Sequence, residues 1–260
     1  MLLDRLLSFL VFLMILYWLL MLLACVPKPN LTPEEAESQG RRLFMDHIAA
    51  IGGMAALQNH QSIRTEGTIQ YIGDPIAHSF LEIKVRPNHL YRRLRIHDKG
   101  VYERGYNGDR AWSLTPQSGP MVSSSRQSKL IAREADFDDL LNHQLWYPEL
   151  IDIEEDIYGE RPCHALQTKN HLGDKETLYF DREHKWLLGR VLSVNSLEPN
   201  VWIRYGQYVE MGDMLVPIMK EEITDDRHSI SMSSSVRWDV VSETPTIPKA
   251  VERLLKEPVE

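Results

Sequence analysis

The chain has 260 residues, 43% of them hydrophobic and 25% charged, with a formal net charge of -8. That length and composition suit one large globular domain, or at a stretch two. The acidic balance argues against nucleic acid as the main partner, because phosphate backbones are bound by neutralising cations.

The N-terminus reads Met1-Leu2-Leu3-Asp4-Arg5, followed by an apolar run over residues 6–24 that only Ser8 interrupts as a polar residue. Two readings fit. In the first, residues 1–24 are a secretory signal peptide. Leu22, Leu23 and Ala24 before Cys25 are similar to the bacterial lipobox, which implies diacylglycerol on the Cys25 thiol and cleavage just before it. Residues 25–31, with Pro27 and Pro29, then form an extended tether. Val26 in place of Asp implies sorting to the bacterial outer membrane, lipid-anchored on its periplasmic face. In the second reading the run stays uncleaved as an inner-membrane anchor, since about twenty apolar residues span a bilayer. Both readings put the rest of the chain outside the cytoplasm, as a domain over residues 32–243 with a tail over 244–260.

The first folded element is a helix. Thr32-Pro33-Glu34-Glu35 combines a cap, a Pro at the first helical position and a capping-box Glu. Leu43, Phe44, His47, Ile48 and Ile51 follow at helical spacing, and Gly52-Gly53 ends the helix. A short second turn covers residues 54–57. From Ser62 the texture becomes period two. Ile63, Thr65, Gly67 and Ile69 alternate with polar residues, as do Leu81, Ile83 and Val85, and Leu90, Leu94 and Ile96 share a parity with Arg92. The basic stretch Arg92-Arg93-Leu94-Arg95 reads as a local basic patch or, more ordinarily, as the solvated face of a strand. Turn signals at Gly73-Asp74-Pro75, Arg86-Pro87-Asn88, Asp98-Lys99-Gly100 and Asn107-Gly108-Asp109 separate these segments.

Between residues 123 and 151 the pattern breaks into one or two helices. Within them, Asp136-Phe137-Asp138-Asp139 reads as an acidic helix start and His143 as a helix-surface residue. Strands resume over 153–157, 163–168, 176–180, 187–194, 201–209, 215–223 and 228–232, and a short helix closes the tail near Ala250. The expected fold is mainly β (α+β). It is a curled antiparallel sheet of about ten or eleven strands forming a half-barrel, with the N-terminal and mid-chain helices covering the concave side.

None of the familiar catalytic or nucleotide-binding motifs is present. The cysteines, Cys25 and Cys163, form no C-x-x-C, and Cys163 beside Pro162 reads as a small buried apolar residue. Neighbouring Cys163 and His164 point to opposite faces of a strand and cannot act as a pair. No catalytic residue, metal or cofactor is assigned, and the chain is expected not to be an enzyme. Aromatic and Met residues on strands stand out instead: Trp112, Phe180, Trp202, Tyr205, Met219 and Met232. They are either ordinary core or the walls of an apolar ligand cavity.

Several phrases together are similar to the LolA/LolB superfamily of periplasmic lipoprotein carriers and to related RseB/MucB-type domains. They are Ala50-Ile51-Gly52-Gly53-Met54-Ala55-Ala56-Leu57 leading into Ile63-Arg64-Thr65-Glu66-Gly67-Thr68; Tyr106-Asn107-Gly108-Asp109-Arg110-Ala111-Trp112; Tyr179-Phe180-Asp181 with Leu188-Gly189-Arg190-Val191; and Tyr205-Gly206-Gln207-Tyr208 with Leu215-Val216-Pro217. The resemblance runs over about residues 49–238. It implies an open half-barrel closed by helices, with an apolar cavity for lipid or for an acylated lipoprotein. It also leaves open a sensor module of the same fold that contacts an envelope protein partner.

Overall fold

The computed structural model describes residues 31–193, 201–240 and 247–256, together with Met14. The leader and the expected lipidation site at Cys25 lie outside the described residues. From Pro33 onward the described elements pack as one unit.

Helix α1 (Pro33–Ala50) starts where the capping signals stand, with Glu34 and Glu35 in its first turn. It buries Ala36, Gly40, Phe44, His47 and Ile48, one face at helical spacing. Gly52 ends it with φ 132. A Cβ there would come 2.5 Å from the Asp213 carbonyl oxygen, so only glycine fits this turn. A short helix α2 (Gly53–Asn59) follows.

The strands then run in two meanders. The first is β1 (Ser62–Tyr71), β2 (His78–Val85), β3 (His89–Ile96), β4 (Gly100–Asn107), β5 (Ala111–Thr115) and β6 (Gly119–Val122). Helices α3 (Ser125–Ala135) and α4 (His143–Trp146) intervene. The second meander is β7 (Glu149–Tyr158), β8 (Arg161–Lys169), β9 (Lys175–Asp181), β10 (Leu187–Ser193), β11 (Val201–Met211), β12 (Met214–Ile223) and β13 (His228–Trp238). Helix α5 (Lys249–Leu255) closes the described chain and packs on β5 and β6.

All thirteen strands form one sheet in the order β6-β5-β4-β3-β2-β1-β13-β12-β11-β10-β9-β8-β7. Each described pairing is antiparallel, and the meanders join only where β1 pairs with β13. The sheet is open, with β6 and β7 as its edges. Thirteen strands replace the expected ten or eleven. The difference lies in residues 100–122, where Gly, Pro and charged residues hide the alternation that β4, β5 and β6 carry.

Helix α1 packs on β7, and α3 packs on β3, β4 and β5. Phe44, Tyr147, Leu150, Leu166, Leu178 and Phe180 form one core at the β7–β9 end. Leu90, Tyr106, Ala111, Ile131 and Ala135 form a second under α3. A third gathers Ile51, Ala56 and Met214 at the turn after α1. Two local readings are corrected. His143 is buried rather than on the surface, its ring stacked on Phe44 at 4.5 Å. Asp136 caps the C-terminal end of α3 instead of starting a helix, and its carboxylate accepts hydrogen bonds from Trp146 Nε1 at 2.7 Å and Asn142 Nδ2 at 2.8 Å.

Candidate functional site: a charged cavity under the helices

Residues directly opposite on neighbouring strands share a face. One rung therefore carries Thr65, Glu82, Arg92, Arg104 and Ser113 across β1 to β5. A second carries Arg190, Ile203, Glu222 and Ser229, and a third Tyr205, Lys220 and Ser231. Helix α3, whose N-cap Ser124 accepts a hydrogen bond from the Gln127 amide, lies over this face and lowers Arg133 and Glu134 onto it. Between helices and sheet lies a cavity of about 650 Å³.

Its wall is mixed. Phe44, Phe80, Leu94, Leu140, Leu178 and Ile218 are apolar. Among them stand Lys84, Arg92, Arg104, Arg133, Glu134, Arg190, Lys220 and Glu222. Arg92 donates to Glu82 and faces Glu134 at 3.6 Å, and Arg104 donates to Glu134 at 2.9 Å. Arg133 donates to Glu176 at 2.7 Å, and Tyr147 OH donates to the other Glu176 oxygen at 3.1 Å.

Burial alone would raise these carboxyl pKa values, but the arginines reverse that effect. Burial opposes ionisation of Glu134 most, yet Arg104, Arg92, Lys220 and Arg190 together hold it well below the usual carboxylate range. Glu82 and Glu176 are lowered in the same way, by Arg92 and by Arg133 with Arg190. Asp139 goes the other way, because burial outweighs Lys84. Glu134 is enclosed by protein while 35% of its side chain still meets the cavity space. The charges are thus fixed, prepaired and accessible from within.

Of the six residues singled out from sequence, Tyr205 lines this cavity. Phe180 lies in the adjoining core, edge-on to Phe44 at 5.4 Å. Trp112 is buried on the face opposite Ser113, beside Tyr91. Trp202 is 37% exposed on the face opposite Ile203 and Tyr205. Met219 and Met232 are cross-strand partners on the face opposite Lys220 and Ser231. The wall residues that sequence reasoning missed include many charged ones. Arg92 is the instructive case. It shares a parity with Leu90 and Leu94, so an inward arginine was signalled, and the solvated-face reading fails for Arg92.

Among the described residues no group of His, Cys, Asp or Glu side chains is arranged to hold a metal ion. Cys163 is fully buried, and burial pushes its thiol pKa up to about 11. The arrangement suits holding a ligand between an oily and a charged wall.

This open antiparallel sheet with helices over one face is similar to the fold of several solved proteins. Solved structures with this architecture include a DUF1329 family protein from Desulfovibrio piger, with TM-score 0.55 and 14% identity over 78% of this chain and 93% of that one. A putative outer membrane lipoprotein-sorting protein domain from Vibrio parahaemolyticus gives TM-score 0.53 and 12% identity, covering 85% of this chain and 100% of that one. A LolA superfamily protein from Nitrosomonas europaea gives 0.52 and 11%, covering 81% and 96%. At such identities the likeness is one of fold. No protein-family model matches the chain, and no curated protein matches it in sequence.

Proposed function

We propose that the protein is an envelope lipoprotein that holds a lipid, or the acyl chains of an acylated protein, in the cavity between its sheet and helices. The observation that carries this reading is the cavity itself. About 650 Å³ bounded by Phe80, Leu94, Leu140 and Ile218 gives acyl chains an apolar wall, and burial of such chains is favourable at roughly 25 cal/mol per Å². The LolA-type fold supports it, as does the lipobox-like segment before Cys25. That segment favours tethering at the periplasmic face of the outer membrane, with an uncleaved inner-membrane anchor as the alternative. Tethered in this way, the protein acts as a local receptor or handler and uses no chemistry. A second reading, contact with an envelope protein partner, is favoured by β7, an open edge strand whose Ile157 is 69% exposed.

The test uses the full chain in membranes with a photoactivatable fatty-acyl probe. Crosslinks mapped by mass spectrometry are expected on peptides holding Phe80, Leu94, Tyr205 or Ile218. Labelling absent from those peptides, with labelling of the outer face intact, refutes the reading. Acylation of Cys25 is checked in the same spectra, and an unmodified chain starting at Met1 would support the uncleaved anchor.

A further inference from the structure

The cavity wall carries more cation than a purely oily container needs. Seven cationic side chains line it against five carboxylates, and Glu176 behind the wall makes six. The whole chain is acidic at -8, so the wall, with its excess of one cation, departs in sign from the chain as a whole. Several of its donors are also spare. Arg190 has five N–H groups and, among the described residues, meets only the Tyr147 hydroxyl and, at 3.4 Å, a Glu176 oxygen that already accepts from Tyr147. Lys220 has three donors and one partner, Glu222 at 2.8 Å, which also faces Arg227 at 4.0 Å. Glu134 acts on both cations, but its short bond goes to Arg104. The cross-strand register then sets Tyr205 beside Lys220 and Ser231 beyond it on the same face.

We propose that Arg190, Tyr205, Lys220 and Ser231 form a seat for the oxyanion of an amphiphile, a phosphate or carboxylate whose apolar part lies along Phe80, Leu94 and Ile218. This rests on the acyl-binding reading above and adds selectivity to it. Arginine matches an oxyanion with two parallel N–H donors, and lysine adds a point charge. Two hydroxyls complete the set. A cavity with low-dielectric walls strengthens each of these contacts relative to water. The prepaired network of Glu82, Arg92, Arg104 and Glu134 holds the opposite wall, so the seat needs no rearrangement of it.

The test is native mass spectrometry of the full chain in a neutral maltoside detergent. Three probes are compared: dioleoyl phosphatidic acid, dioleoylglycerol and inorganic phosphate. The phosphatidic acid is expected to bind roughly tenfold or more tightly than the neutral diacylglycerol, as charge-assisted hydrogen bonds allow. Lys220→Gln, at a half-buried position, should reduce that preference severalfold, by weakening phosphatidic acid binding far more than dioleoylglycerol binding. Arg190→Gln should reduce it further. Equal binding of the two lipids, or a preference that survives Lys220→Gln, overturns the seat while leaving acyl binding intact. Binding of neither lipid overturns the acyl-binding reading as well. Inorganic phosphate that displaces the phosphatidic acid stoichiometrically would show that a free anion is sufficient, and the amphiphile part of the proposal falls.

Discussion

Arg133 on α3 meets Glu176 on β9 at 2.7 Å, with the arginine side chain 8% exposed and the glutamate side chain fully withdrawn from solvent. This contact fastens the helix that roofs the cavity to the sheet beneath. Breaking such a pair from one side is costly, because the remaining charge has neither water nor counter-ion. Glu176→Gln leaves Arg133 and Arg190 without their shared carboxylate. It should lower unfolding stability by about 3–5 kcal/mol, measured by urea denaturation. A midpoint equal to that of the parent protein would mean that the pair is hydrated.

Two histidines give the stability a pH dependence of opposite sign. His47 is buried on α1, bonded through Nδ1 to the Lys185 carbonyl at 3.1 Å. Burial, only partly opposed by that bond, lowers its pKa from 6.5 to about 4. Its contribution is therefore present above its unfolded pKa and is lost as pH falls from 6.5 toward 4.

His60 is bracketed by Asp239 and Asp213, both at 2.7 Å, and its ring stacks on Trp238. Burial pulls its pKa down, but the two carboxylates more than reverse this, and it ends above 6.5. The contribution is full below 6.5 and is lost as pH rises through the folded value. Asp213 and Asp239 are themselves lowered by His60, so the bracket also weakens when acid protonates them. Relative to His60→Gln, the parent protein should hold its advantage near about pH 6 and lose it toward about pH 9. A difference that stays constant over that range argues against a charged bracket.

Gly67 stands at the bulge of β1 where it faces β13, and a Cβ there would lie 2.0 Å from the Met232 carbonyl oxygen and 2.8 Å from the Phe80 ring. Gly67→Ala must push β1 off its partner. The expected loss is at least the 1–3 kcal/mol or so of an overpacked core, read as a lower melting temperature. Unchanged melting would mean that the two strands are not held in this register.

The Cys163 thiol is buried and its pKa is raised to about 11. The native chain should resist iodoacetamide at neutral pH and react only after denaturation, with the label mapped to the Cys163 peptide. Rapid native labelling would show that β8 opens readily.

Features decided by neighbours in sequence were the most legible. Thr32-Pro33-Glu34-Glu35 marks the start of α1 and Gly52-Gly53 its end, because caps and left-handed turns are local. The strands of clear alternation were legible for the same reason. The contents of the cavity were not. Arg92 could be placed on the face of Leu90 and Leu94, but its partner Glu134 arrives on α3 from forty-two positions further along the chain. Trp112 looked like a cavity wall because it is large and aromatic. It lies on the other face of β5, in a recess that Ile247 also lines, a neighbourhood that no local pattern announces. Charge pairing across a wide sheet is long-range information, and periodicity carries only the face.

The strand that completes the sheet is nearly the last to be made. β1 waits for β13, so 156 residues lie between Tyr71 and His228, the near ends of the two strands that hold the halves together. During synthesis the nascent chain can form each meander, but it has no enclosed interior until the final hairpin arrives. Such distant pairing slows folding, and it delays the cavity until both halves of the sheet are joined. A chain cut after Ile223 should yield two loosely associated ribbons with no cavity between them.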